Sequence, residues 1–405
     1  MSGWAARTPV DGNVEAGFEP VREAFVANFA HGQTLGSACT IYHRGKRVVH
    51  LWGGWRDKSR TEPWREDTVV LVYSVTKGLS AFCCALAVSQ GLFAYDEPIT
   101  AVWPEFAVNG KGNLTVGQVL SEQAGVAALD IKLNRTNMAD QDAMAKAIAA
   151  QSPNWPPAML AGNHAYTLGW LACELIRRRD PAGRSLGRYF AEEVVGPLGV
   201  DAWIGLPQSV DHGRIARIKG FSFLDLFLRH TNMPWRLVFS LVCPFTLSFK
   251  ALNNPLFLSG PAALDAEEWR SIELGGCGGI ASASALASIY QRLAVGPEAR
   301  LSETVLAQLR AGSTPPSAGL FDQVLKTELR YSHGFEKPFA GWQFARTRSA
   351  FGTFAIGGSL AFADPEDEIA YAWVTNELGT SKWDDPREKA VRDAFYSCLP
   401  GRERP

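Results

Sequence analysis

Alternation of apolar and polar residues is cleanest near the two ends of the chain, and helical periods fill the middle. Residues 38–43 and 47–52 are β-branched, aromatic and alternating, and they flank the turn Arg44-Gly45-Lys46. With Gly53-Gly54 closing the second run, this predicts a β-hairpin. Two further strand-like runs, 358–363 and 369–375, are joined by a turn at Asp364-Pro365-Glu366. An opening helix is predicted over 21–29 and a final one over 386–396. Between these ends, helical patterns occupy 115–121, 138–150, 167–179 and 186–195, separated by proline-rich loops. After the cluster Gly275-Gly276-Cys277-Gly278-Gly279 come helices at 283–293 and near 304–310. Residues 221–257 are rich in Phe, Leu and Trp with no clean period. They are either a core layer or an apolar cover over a pocket, and apolar runs are most often simply buried. Strands thus concentrate in 1–95 and 275–405, 96–274 is mostly helical, and there is no internal repeat.

One junction carries chemistry. The strand-like run 68–73 gives way to a helix beginning near Gly78, and residues 79–88 contain no charge. That helix is apolar all round, hence buried, and Gly91 stops it. At its mouth stands Ser74-Val75-Thr76-Lys77. Residues three apart share a helix face, so the Ser74 hydroxyl and the Lys77 amine can enter one space. Serine is a poor nucleophile until a base takes its proton, and a desolvated lysine can be that base. Unpaired N–H groups at the helix start can hold an oxyanion. An isolated S-x-x-K is commonly a capping serine with a solvated lysine; the uncharged run that follows argues against that here, and predicts a lysine desolvated towards its neutral form.

Bulk composition narrows the classes. A chain of 405 residues can bury a sizeable core, and 46% hydrophobic content excludes a disordered protein. A net charge of -1 gives no reason to invoke nucleic acid or an anionic membrane. Seven cysteines, with Cys83-Cys84 adjacent inside the buried helix, read as reduced filler, and the seven histidines lack metal-ligand spacing. No metal and no cofactor are expected. The start of the chain lacks an apolar signal core, and the greasy stretch 237–245 is too short for a bilayer span and is broken by Pro244. The expectation is a soluble, cytoplasmic protein without stable membrane insertion; its oligomeric state is not legible.

From about Gln33 to Tyr396 the chain resembles the serine β-lactamase-like superfamily, within it the family VIII carboxylesterases above all. The resemblance rests on Ser74-Val75-Thr76-Lys77 after a strand, on Asp96-Glu97-Pro98-Ile99, Trp103-Pro104-Glu105-Phe106 and Leu120-Ser121-Glu122-Gln123-Ala124-Gly125. Gly196-Pro197-Leu198-Gly199 and the esterase-like Gly357-Gly358-Ser359-Leu360-Ala361-Phe362-Ala363-Asp364-Pro365 complete it. It implies an α+β, β-lactamase-like fold: an antiparallel sheet built from both chain ends (1–95 and 275–405) and flanked by helices, with 96–274 as an inserted helical domain. It also implies acyl transfer through a covalent intermediate on Ser74, with Lys77 and a tyrosine moving the proton. The N–H groups of Ser74 and of the late strand near Gly357 and Gly358 would hold the oxyanion.

Two segments depart from the family pattern. The second motif is a tyrosine six residues before a glycine, and counting back from Gly169 reaches Asn163, which cannot accept a proton as a phenolate does. The nearest tyrosine is Tyr166. Either Tyr166 fills the role, or the Ser–Lys pair works alone beside Asn163, or the site is dead. The third motif, which in esterase relatives looks like Phe-Gly-His-Gly-Gly-Ala-Gly-Gly, runs here from Phe351 through Thr353, Phe354 and Ile356 to Gly358. The imidazole is gone, and the absence of a cation removes an anchor for carboxylate-bearing β-lactams. Glu122 stands where relatives often carry histidine. The expected substrate is a small or medium acyl ester. A pseudoenzyme that binds without turnover, and an acyltransferase that delivers the same acyl group to an alcohol, remain alternatives.

Overall fold

The computed structural model describes residues 8–30, 34–222, 225, 233–255, 260–295 and 300–400. Its strands, in chain order, are β1 (Val10–Val14), β2 (Gly36–His43), β3 (Lys46–Gly54), β4 (Val69–Leu71), β5 (Ala202–Ile204), β6 (Ile215–Ala216), β7 (Gly279–Ala281), β8 (Arg330–Ser332), β9 (Phe335–Lys337), β10 (Phe351–Phe354), β11 (Leu360–Asp364) and β12 (Ile369–Thr375). Eight of them form an antiparallel sheet in the order β1-β3-β2-β12-β11-β10-β9-β8. The two chain ends meet where β2 pairs β12, from Ile369↔His43 to Thr375↔Ser37. The fold class implied by the resemblance is the one observed: an α+β, β-lactamase-like architecture.

Alternation along the central strands sorts side chains by size. Ala361, Ala363, Ala370, Ala372 and Val374 face one core with Leu286, Ile289 and Tyr290 of the helix Ala283–Val295. Small residues on that face let the helix backbone come close to the sheet. Leu360, Phe362, Ile369, Tyr371 and Trp373 face the other core, against α1 (Glu19–Ala30) and the helix Pro386–Ser397. Phe25 of α1 meets Trp373 edge-on at 5.6 Å. A one-residue slip of any of these strands would exchange the two sets, so register is tightly specified.

Beside this sheet lies a four-stranded one, ordered β5-β7-β4-β6, whose strand β4 leads into α2 (Val75–Ser89). Residues 75–87 of α2 are all buried, as its uncharged sequence demands. Its helical turns begin at Val75 rather than near Gly78, because Ser74 already carries helical angles. The pattern 138–150 is broken at Asp140, whose carboxylate caps the helix Gln141–Ala150 by accepting from the Ala143 N–H. Several strands escaped the periodicity. β1 has only two apolar residues, and β8 and β9 are three residues each around His333 and Gly334. Both turn residues have positive φ, 49° and 103°, as a two-residue hairpin turn requires; histidine at the first of them is an uncommon signal. Of 221–257, residues 223, 224, 226–232, 256 and 257 lie outside the described residues. The rest holds the helices Trp235–Val242 and Leu247–Leu252, buried on one side only. Among the described residues no helix is long and apolar enough to cross a membrane.

The helix Thr167–Arg179 packs on the loop before β7 through Gly169. A Cβ there would sit 2.3 Å from the Gly276 nitrogen and 2.5 Å from the Gly275 carbonyl carbon, both backbone atoms. Helix propensity alone favours alanine over glycine by about 1 kcal/mol. The clash dominates, so Gly169→Ala is expected to destabilise the protein by roughly 1–3 kcal/mol in denaturant titration. A stabilised variant would show that this helix and loop separate easily.

Candidate active site

β4 ends in a turn that aims Ser74. Leu71 pairs Ile280 of β7, and the Val72 N–H still donates to the Gly279 carbonyl at 2.9 Å. At Tyr73 the backbone swings to φ 45°, a left-handed conformation that costs a non-glycine residue about 1–3 kcal/mol. It is held because Tyr73 is buried and its carbonyl accepts from the Thr76 N–H at 2.9 Å. Thr76 Oγ1 in turn accepts from the Gly279 N–H at 2.8 Å, pinning the first turn of α2 to β7. Ser74 emerges half-buried. Its side chain makes no capping bond, and among the described residues neither its N–H donates nor its Oγ takes part in a hydrogen bond.

Lys77, one turn on, is wholly buried. Its Nζ donates to Glu122 Oε1 at 2.9 Å and to Asn163 Oδ1 at 3.0 Å. Glu122, on a turn at φ 65°, is equally buried, and its Oε2 accepts from the His164 backbone N–H at 2.7 Å. His164 Nδ1 lies 2.7 Å from the same oxygen. Because His164 Nε2 accepts from the Val126 N–H at 3.0 Å, the ring proton sits on Nδ1 and points to Glu122 and the Gly162 carbonyl. Burial would push the Glu122 carboxyl up, but the Lys77 ammonium and the His164 hydrogen bonds hold it down at about 2. Burial would push the Lys77 amine down, but Glu122 foremost, with Glu336 and Asp322, raises it above its ordinary value. The desolvated neutral amine expected from the sequence is therefore not the resting form: Lys77 is an ammonium in a buried ion pair.

Glu336 on β9 is a second carboxyl near this pair, and sequence reasoning missed it. Burial pushes it up to about 8, eased by Lys77 and reinforced by Glu122, and its Oε2 is buried without a hydrogen-bond partner. A carboxyl raised from 4.5 to about 8 loses its stabilising contribution as pH climbs through that interval. Glu336→Gln is therefore expected to be more stable than the parent at pH 8.5, by roughly 1–3 kcal/mol, with the advantage vanishing near pH 5. Thermal denaturation at the two pH values measures this; an advantage larger at pH 5 would mean that Glu336 is ionised in the fold.

The other candidate residues fall as follows. Asn163 touches Lys77, while Tyr166, three residues on, has no hydrogen bond to Ser74 or Lys77 among the described contacts. Tyr166 caps the start of the helix Thr167–Arg179, and burial, with Cys277 adding to it, drives its hydroxyl far above its ordinary pKa. Thr353 is buried; its Oγ1 lies 2.8 Å from the Tyr290 hydroxyl and 3.3 Å from the Val75 carbonyl of α2. Phe354 points to the opposite face of β10 and packs on Trp342 at 4.9 Å. Gly357 and Gly358 adopt φ 91° and 105°, and a Cβ on either would strike Leu378 or Asp385 within 2.6 Å. The backbone N–H groups of Ile356 and Gly357 find no acceptor among the described residues. His333 stacks on Tyr95 at 3.8 Å, and its backbone N–H donates to Ser121 Oγ at 3.2 Å. Among the described residues no group of three His, Cys, Asp or Glu side chains could hold a metal ion.

A serine on a strained strand-to-helix turn is thus followed, one turn on, by a buried lysine, and the model of the Beta-lactamase family matches residues 21–395. The chain belongs to that family. Esterase/beta-lactamase LipL of Mycobacterium tuberculosis is 30% identical over 375 residues, covering 91% of this chain and 83% of LipL. Among solved structures, a penicillin-binding protein homolog from Caulobacter crescentus superposes with a TM-score of 0.82 at 33% identity, over 96% of this chain and all of its own. A family VIII carboxylesterase superposes with a TM-score of 0.83 at 31% identity, over 96% and 100% of the two chains. Both esterase and penicillin-binding branches of the family are thus near this chain.

Proposed function

We propose that the chain is a carboxylesterase-like serine hydrolase that cleaves small or medium acyl esters through an acyl-enzyme on Ser74. The observation that carries this reading is the half-exposed Ser74 on its strained turn, with its N–H and Oγ unengaged and Lys77 buried on the same helix face. In acylation Ser74 Oγ bonds to the ester carbonyl carbon and passes its proton to Lys77. Lys77 returns that proton to the departing alkoxide as the C–O bond breaks. Water then gives a proton to the same amine and bonds to the acyl carbon, the acyl–Oγ bond breaks to release the acid, and Lys77 returns the proton to Ser74 Oγ. The N–H groups of Ser74 and of the Ile356–Gly357 turn are the candidate oxyanion donors.

The resting Lys77–Glu122 ion pair shapes the pH dependence. The amine accepts a proton only after the site has lost one, so ester turnover rises as pH increases from 7 towards 10. Assaying p-nitrophenyl acetate and butyrate across that range tests the proposal, with nitrocefin as the β-lactam control. Ester hydrolysis that rises with pH, well above any nitrocefin turnover, is the expected result. A flat or absent response at every pH would reject it.

A second reading, a ligand-binding pseudoenzyme, is favoured by one contact: Asn163, which cannot ionise, bonds Lys77 where the family pattern has its tyrosine. Under that reading esters raise the melting temperature without being consumed.

A further inference from the structure

Of the large apolar side chains that the fold leaves exposed, four fall within one short segment. Trp235, Phe239 and Val242, spaced i, i+4, i+7 on one face of the helix Trp235–Val242, are 55%, 61% and 41% exposed. Phe245, just past its end, is 89% exposed. The opposite face is anchored: Leu237 and Val238 are buried, and the following helix Leu247–Leu252 sets Ala251 against Ala127, Ala128 and Trp155. Trp155 stands edge-on to His164 at 5.5 Å, so this segment rests on the elements that hold Glu122. Phe239 and Val242 turned outward, with Phe245 beyond them, form an apolar surface that implies an apolar partner.

Charge selects which partner. Residues 226–264 contain no Asp or Glu, although the chain has 41 of them in 405 residues, and they contain Arg229, Arg236 and Lys250. Arg236, on the same helix, and Lys250, on the helix that follows, are both exposed. A second copy docking on this face would bring like charges together, whereas an anionic lipid headgroup layer complements them. Aromatic rings with adjacent cations, on a helix too short to span, are the composition of an interfacial element.

We propose that the exposed face of helix Trp235–Val242, with Phe245, docks on the surface of an anionic lipid bilayer. Docking itself is independent of the chemistry at Ser74; only its consequence, that esters reach the site from a lipid surface, rests on the acyl-transfer reading. The test is flotation of the full chain with phosphatidylcholine vesicles, with and without phosphatidylglycerol. The expected result is at least tenfold stronger association with the anionic vesicles, weakened by salt. Phe239→Ser/Val242→Ser/Phe245→Ser should lose it, with an unchanged melting temperature and unchanged turnover of soluble p-nitrophenyl acetate. Arg236→Glu/Lys250→Glu should lose the preference for anionic lipid. Absence of vesicle binding, or equal binding by the triple variant, overturns the proposal. So does a concentration-dependent dimer in sedimentation that the triple variant abolishes, which would assign the face to a second copy. Lost ester turnover with vesicle binding intact would count against the hydrolase reading alone.

Discussion

Lys77→Met is expected to abolish ester turnover, by at least about a thousandfold, and to destabilise the fold by about 3–5 kcal/mol. The two losses have separate causes. Turnover falls because no other base lies beside Ser74 on its helix face. Stability falls because Glu122 keeps its buried carboxylate and loses the cation 2.9 Å away. Lys77→Met/Glu122→Leu removes both charges, and replacing a buried pair with apolar side chains is often nearly neutral. The double variant should therefore recover most of the stability and none of the activity. The pair also leaves a signature in acid. Glu122 is held at about 2 against an ordinary 4.5, so its contribution is complete above pH 4.5 and fades as pH falls towards 2. Acid unfolding of the parent should contain that component and the double variant should lack it. Full ester turnover by Lys77→Met would remove the lysine from the mechanism.

Glu122→Gln is expected to move activity the other way. Glu122 is the foremost group holding the Lys77 ammonium above its ordinary range. Neutralising it leaves a buried cation with only Asn163 and more distant carboxyls, and burial then pushes its pKa down. The alkaline rise in turnover should shift to lower pH, and the rate at pH 7 should increase by at least about threefold. The cost is stability, roughly 2–4 kcal/mol, since the amide cannot accept from the His164 N–H while its own NH2 faces that donor. Steady-state pH profiles of both proteins decide the matter. A large loss of activity at all pH values would instead make Glu122 itself the proton acceptor.

Much of this site was legible along the chain, and the rest was hidden for identifiable reasons. The uncharged run 79–88 announced a buried helix, so the sequence places Ser74 and Lys77 at its mouth, although the helix begins at Val75 rather than near Gly78. The middle of the large sheet was legible because β2, β3 and β12 are long and alternate. The ionic state of Lys77 was not, because its partner lies 45 positions away on a left-handed turn. A signal did exist: Glu122 is the one carboxylate in the small and apolar stretch 112–129, and a buried carboxylate calls for a cation just as a buried lysine calls for an anion. Asn163 was reached by counting back from Gly169, but only the fold shows that its amide oxygen meets Lys77. Glu336 stayed hidden because β9 is too short for its alternation to register.

Covalent trapping at Ser74 tests the central claim most directly. The full chain is incubated at pH 9 with a fluorophosphonate, digested, and its adducts located by mass spectrometry. The account predicts one phosphonyl group on the peptide containing Ser74 and none on Ser74→Ala. Equal labelling of both proteins, or no label on the parent while its melting temperature still responds to esters, would contradict it.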